Sequence, residues 1–164
     1  MRSFWSIAIL LISVAAARSA PASYDGRMEG YLVIWANNAN INPATVNRLY
    51  ARSAIYYGKL LTQDAVFRDK LAFIRQWPRR SYEVRPGSVT NDCGRSAQRC
   101  RVTAVLHWSR ADASGRHRQS GTNTVALDLV RQDGMLKIAR ESGVPVASSV
   151  CSGTDADRSC SGFR

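Results

Sequence analysis

Asn42 to Thr90 reads NPATVNRLYARSAIYYGKLLTQDAVFRDKLAFIRQWPRRSYEVRPGSVT, and the order of elements it encodes decides the fold. A helix starts at Asn42-Pro43. Asparagine caps it, and proline suits the first helical position because the N–H it lacks would be unpaired there. Val46, Leu49 and Tyr50 make the apolar face of this short helix. Ala54 to Tyr57 is short, aromatic and closed by Gly58, which predicts a strand. Thr62 caps a longer helix from Gln63 to about Trp77, with Asp64 in the first turn, where the helix dipole favours negative charge. Phe67, Leu71 and Ile74 form its apolar stripe, Val66, Phe73 and Trp77 flank it, and Pro78 ends it. From Arg80 the period changes to two: Tyr82 and Val84 alternate with Ser81, Glu83 and Arg85.

The flanks complete the pattern. Upstream, Met28, Leu32 and Trp35, widened by Tyr31 and Ile34, predict an amphipathic helix over Tyr24 to Ala36. Downstream, Arg101 to Ser109 alternates, with Val102, Ala104, Leu106 and Trp108 on one face and Arg101, Thr103, Val105 and His107 on the other. A further strand is expected over about Thr122 to Arg131, with Val125, Leu127 and Leu129 on one side. Asp133-Gly134 signals a hairpin turn before a last strand from Met135 to Arg140. The segment after Ser148 is rich in Ser and Gly and reads as irregular.

Composition sets the compartment. Met1-Arg2 followed by an apolar run of about fourteen residues, Phe4 to Ala17, reads as a signal peptide, because a membrane-spanning helix needs about twenty. Small residues fit cleavage after Ala17 or after Ala22. The expected organisation is a signal peptide at 1–22, one domain at 23–147 and an irregular cysteine-containing tail at 148–164, in an exported, periplasmic or secreted protein. Four cysteines, Cys93, Cys100, Cys151 and Cys160, agree with export; they allow three pairings, and proximity favours Cys93–Cys100 and Cys151–Cys160. A zinc site using these thiols with His107 or His117 does not match finger spacing, so no metal is expected. The formal charge is +11, or +9 without Arg2 and Arg18. Such a surface can attract an anionic envelope component, but the arginines are dispersed along the chain, and no nucleic acid is expected.

Helices over a long antiparallel run of strands make an α+β layout in which a curved sheet supplies the apolar surface that the helices cover. Three motifs then carry a family resemblance: Tyr56-Tyr57-Gly58-Lys59, Phe73-Ile74-Arg75-Gln76-Trp77-Pro78 and Tyr82-Glu83-Val84-Arg85-Pro86-Gly87. With Cys93 and Cys100 around the following hairpin and Trp108 in the next strand, the chain resembles the nuclear transport factor 2-like (cystatin-like, SnoaL-type) superfamily, and within it a small exported bacterial subgroup. The resemblance covers about residues 24–141. It implies N-terminal helices packed on a curved antiparallel sheet to form a cone, which hosts an active site or a ligand. Related ketosteroid isomerases use an Asp base with a Tyr and a protonated acid as oxyanion donors.

The residues do not repeat that trio. The sheet face expected to look into the cone, Tyr82, Val84, Val102, Leu106, Trp108, Val125, Leu127 and Leu129, contains no acid. His107 and Asp128 alternate outward, and Glu141, at the end of the last strand, reaches at most the opening. No phosphate loop, HExxH or nucleophile motif is present, so no catalytic residue and no cofactor is expected. The pocket candidates are Trp35, Tyr50, Tyr56, Tyr82, Leu106, Trp108 and Leu127. The expected function is an exported, non-catalytic binding or accessory domain with an apolar cone for a small hydrophobic ligand and a basic surface. A SnoaL-like isomerase or cyclase using Tyr56 with Glu141 or His107 is one alternative, and an envelope polyanion binder the other. A homodimer through the outward row Thr103, Val105 and His107 is a further expectation.

Overall fold

A computed structural model describes residues 25–94 and 98–146, and the backbone of two further short strands at 150–152 and 159–161. The expected leader at 1–22 lies outside the described residues. Helix α1 (Asp25–Ala36) is followed by a 3-10 turn (Asn38–Asn40) and helix α2 (Pro43–Leu49). Strands β1 (Tyr50–Tyr56) and β2 (Lys59–Thr62) then precede α3 (Gln63–Gln76). The remaining strands are β3 (Arg79–Val84), β4 (Thr90–Cys93), β5 (Arg99–Ala111), β6 (Arg118–Gln132), β7 (Met135–Pro145), β8 (Val150–Ser152) and β9 (Ser159–Ser161).

The caps act as read. The Asn42 side chain accepts from the Thr45 N–H at 2.9 Å, and the Thr62 hydroxyl from the Ala65 N–H at 3.3 Å. These bonds satisfy amides that the first helical turn leaves unpaired. Both tight hairpins are two-residue turns with two positive φ values: Asp133 (53°) with Gly134 (78°), and Tyr57 (46°) with Gly58 (84°). That geometry matches the right-handed strand twist. The second turn adds β2, which the sequence reading omits because tyrosine rarely takes a positive φ. Tyr50, expected on the α2 face, instead begins β1.

The sheet runs β2-β1-β7-β6-β5-β3, with β4 also on β5 and β8 on β6. It is curved, unclosed and mostly antiparallel, and the three helices cover its inner face. β1 pairs with β7 in parallel, a non-local pairing that local periodicity does not report. β3 and β4 share β5 as a neighbour, split at Pro86-Gly87, where the Ser88 hydroxyl accepts from the Val105 N–H at 3.1 Å. The core joins Met28, Tyr31, Leu32 and Trp35 of α1 and Val66 of α3 to Val102, Ala104, Leu106, Val125, Leu127 and Leu129. The alternation read in β5 and β6 therefore holds.

Strand β7 departs from it. Leu129 pairs with Ile138 and Asp128 with Arg140, so Ala139 is an extra residue, a β-bulge. Beyond it the faces are exchanged relative to a simple count from Ile138. Arg140 points outward to Asp128 at 3.5 Å, while Glu141, opposite Leu127, points into the cone.

Cys93 and Cys100 form a disulfide across the β4–β5 pair, where the residues are register partners. By loop entropy a link this short contributes roughly 2–3 kcal/mol. The tail is not wholly irregular: β8 and β9 pair with Cys151 opposite Cys160, although these side chains lie outside the described residues. No helix among the described residues is long and apolar enough to cross a membrane.

Candidate functional site

Between the helices and the inner sheet face lies a cavity of about 580 Å³. Its buried wall comes from Tyr31, Leu32, Trp35, Ile41, Leu106 and Val125, and its exposed rim includes Tyr57, Lys59, Asp69 and Pro145. Of the residues expected in the pocket, Trp35, Tyr56, Tyr82, Leu106 and Trp108 line the cavity. Tyr50 and Leu127 do not: both are core residues, at 0% and 3% exposure. His107 is on the outer face, bonded through Nδ1 to the Thr122 hydroxyl at 2.9 Å, and Thr103 and Val105 share that face.

The expectation of a cone without an acid is corrected. Glu141 is 1% exposed and lines the cavity, turned inward by the Ala139 bulge. The Tyr50 hydroxyl donates to Glu141 Oε2, and the Lys70 ammonium to Oε1 at 3.1 Å. Lys70 also donates to the Tyr31 hydroxyl at 3.3 Å. Its Nζ lies 4.5 Å from the Trp35 ring centroid and 5.1 Å from that of Tyr56, so aromatic faces surround the cation. Burial first, and the Glu141 carboxylate second, push the Tyr31, Tyr50 and Tyr56 hydroxyls well above the usual tyrosine range. These phenols remain hydrogen-bond donors at neutral pH. A buried carboxylate held between an ammonium and a phenol can be structural, or it can receive a ligand's donor group.

Lys70 belongs to α3, three residues after Phe67 and four before Ile74, within the apolar stripe. A lysine in such a stripe was the signal for an inward cation, and the sequence reading passed over it. Trp108 shapes the sheet wall. Its Nε1 donates to Asn123 Oδ1 at 3.1 Å, and its ring lies over its cross-strand partner Gly121. A Cβ at 121 would stand 2.7 Å from the indole, so glycine is what lets the ring lie there. Trp35 is buried in the cavity wall with its indole N–H unpaired among the described residues.

No protein-family model matches the chain, and no curated protein does. Solved structures do resemble it. A scytalone dehydratase-like protein from Novosphingobium aromaticivorans is 14% identical with a TM-score of 0.61, over 75% of this chain and 81% of that one. An uncharacterised protein with a cystatin-like fold from Caulobacter vibrioides is 13% identical with a TM-score of 0.60, over 75% and 87%. A nuclear transport factor 2-like superfamily protein from Salmonella enterica is 9% identical with a TM-score of 0.58, over 72% and 84%. The chain therefore has the nuclear transport factor 2-like, or cystatin-like, fold, and at these identities the likeness is one of fold alone.

Proposed function

We propose that this chain is an exported binding domain whose cone holds a small ligand with a flat, largely apolar body. The observation that carries the reading is the cavity of about 580 Å³, whose aromatic wall of Tyr31, Trp35, Tyr56 and Trp108 brackets the paired polar groups of Lys70 and Glu141. Size, apolar lining and sparse fixed donors are the features of small-molecule sites. The leader-like residues 1–22 and the Cys93–Cys100 disulfide support export. Two measurements test the binding. A native mass spectrum of protein purified from an oxidising export compartment should show a retained extra mass. Neutral phenylnaphthylamine should fluoresce on binding the stripped protein, and Trp108→Ala should weaken it about tenfold. A folded protein that retains no mass and binds no probe overturns the reading.

The position of Glu141 favours a second reading, in which the cone performs proton transfer on a carbon acid. A carboxylate beside an ammonium, with the neutral phenols of Tyr31 and Tyr56 in the same cavity wall, has the elements of a general base with donors for a developing oxyanion. The scytalone dehydratase-like neighbour shares the fold. In D2O the wild type should exchange a C–H of the retained compound, and Glu141→Gln should not. Absence of exchange by wild type leaves the cone a binding site only.

A further inference from the structure

The inward row of β5, Val102, Ala104, Leu106 and Trp108, ends in an arginine, Arg110. In the β3–β5 ladder Arg80 stands directly opposite Arg110, next to the pair Tyr82 and Trp108. Both arginines line the cavity. Like charges directly opposite on an antiparallel pair are destabilising unless something compensates them. Among the described residues no carboxylate forms an ion pair with either one.

The two arginines are used differently. Arg80 is occupied by backbone: its Nε and Nη2 donate to the Trp35 carbonyl at 3.3 and 3.0 Å, its Nη1 to the Trp77 carbonyl, and Nη2 also to Asn38 Oδ1 at 2.7 Å. It ties the ends of α1 and α3 to the sheet. Arg110 spends Nε (2.8 Å) and Nη2 on one acceptor, Gln119 Oε1. Both Nη1 hydrogens and one on Nη2 have no protein acceptor among the described residues. The guanidinium carbon is 4.6, 5.1 and 5.4 Å from the ring centroids of Trp77, Trp108 and Phe73, so its position is fixed by aromatic contacts. Partial burial disfavours the charged form of both arginines, a penalty that a bound anion would relieve.

We propose that Arg110, reinforced by the field of Arg80, is an oxyanion-binding subsite of the cone, and that the ligand is a small aromatic acid, a carboxylate or sulfonate on a flat ring system. The free edge of a guanidinium matches a two-oxygen anion. The neighbouring Trp108 face takes the ring, and Lys70 and Glu141 meet the polar substituents elsewhere on the ligand. This inference rests on the reading of the cone as a ligand site.

The test compares two probes with the same aromatic skeleton, anilinonaphthalene sulfonate and neutral phenylnaphthylamine, by fluorescence titration at fixed ionic strength. Wild type should bind the sulfonate at least about tenfold more tightly, the scale of a charge-assisted hydrogen-bonded pair. Arg110→Gln should remove that preference and leave the neutral probe unchanged. Gln119→Glu, which supplies the missing carboxylate beside Arg110, should remove it as well, and carries the test if Arg110→Gln fails to fold. Arg101→Gln on the outer face removes the same charge and should change nothing. Equal binding of both probes by wild type, or an equal loss of preference in Arg101→Gln, overturns the subsite but spares the cone. Failure of wild type to bind either probe overturns the cone reading itself.

Discussion

Strands β5 and β7 both line the cone, and they obey different rules. β5 alternates from Cys100 to Trp108 without a break, so each inward residue follows from the one before it. β7 carries the bulge at Ala139, and beyond it an alternation counted from Ile138 assigns each residue to the wrong face. The regular strand supplies apolar wall and ends in Arg110, whereas the bulged one delivers a carboxylate to the interior. A one-residue irregularity thus decides whether the buried wall of the cavity holds an acid, consistent with bulges serving to re-aim side chains.

The largest expected effect comes from deleting one residue in each strand. Removal of Val105 turns Leu106 and Trp108 to solvent and should abolish the cooperative thermal transition in circular dichroism. Removal of Ala139 leaves Ile138, Arg140 and Glu141 on their present faces and should retain a cooperative transition. If both deletions unfold the protein equally, the bulge is not a separable device. Next in size, Glu141→Ala strands the Lys70 ammonium and the Tyr50 hydroxyl in the core, and should cost about 3–5 kcal/mol in urea unfolding. Glu141→Gln should cost less, and a change below about 1 kcal/mol in both would mean that the cluster is solvated rather than buried. Val102→Ala, at a fully buried position of the regular strand, should cost about 2 kcal/mol, from lost apolar contact and a small cavity. His107→Ala, on the outer face of the same strand, should stay within about 0.5 kcal/mol. A larger loss there would show that the outer face is covered in solution.

Most of the fold was legible because its signals are local. Asn42-Pro43 and Thr62 cap helices through their own side chains, and Asp133-Gly134 turns the chain through its own backbone freedom. Val102 through Trp108 alternate because successive side chains of a strand take opposite faces. The site was legible in part. Trp35, Tyr56, Tyr82, Leu106 and Trp108 stand on the cavity wall as their patterns suggest, whereas Tyr50 and Leu127 lie within the core. Lys70 was not singled out because a charge inside an apolar stripe reads as an interruption, and its partner Glu141 lies 71 positions away in the chain. Arg110 fell just beyond the strand expected over Arg101 to Ser109, because the residues it meets in the cone come from β3 and α3.

By itself the sequence determined the element order, the helix caps, the main inward rows and the class of fold, since each rests on interactions within a few residues. Tertiary structure alone decided that β1 closes on β7 in parallel, that Ala139 turns Glu141 inward, and that Arg80 and Arg110 face one another across a ladder. The physical reason is common to all three. Each depends on the register between segments distant in the chain, and register is set by the packing of the whole sheet under its helices rather than by any one segment.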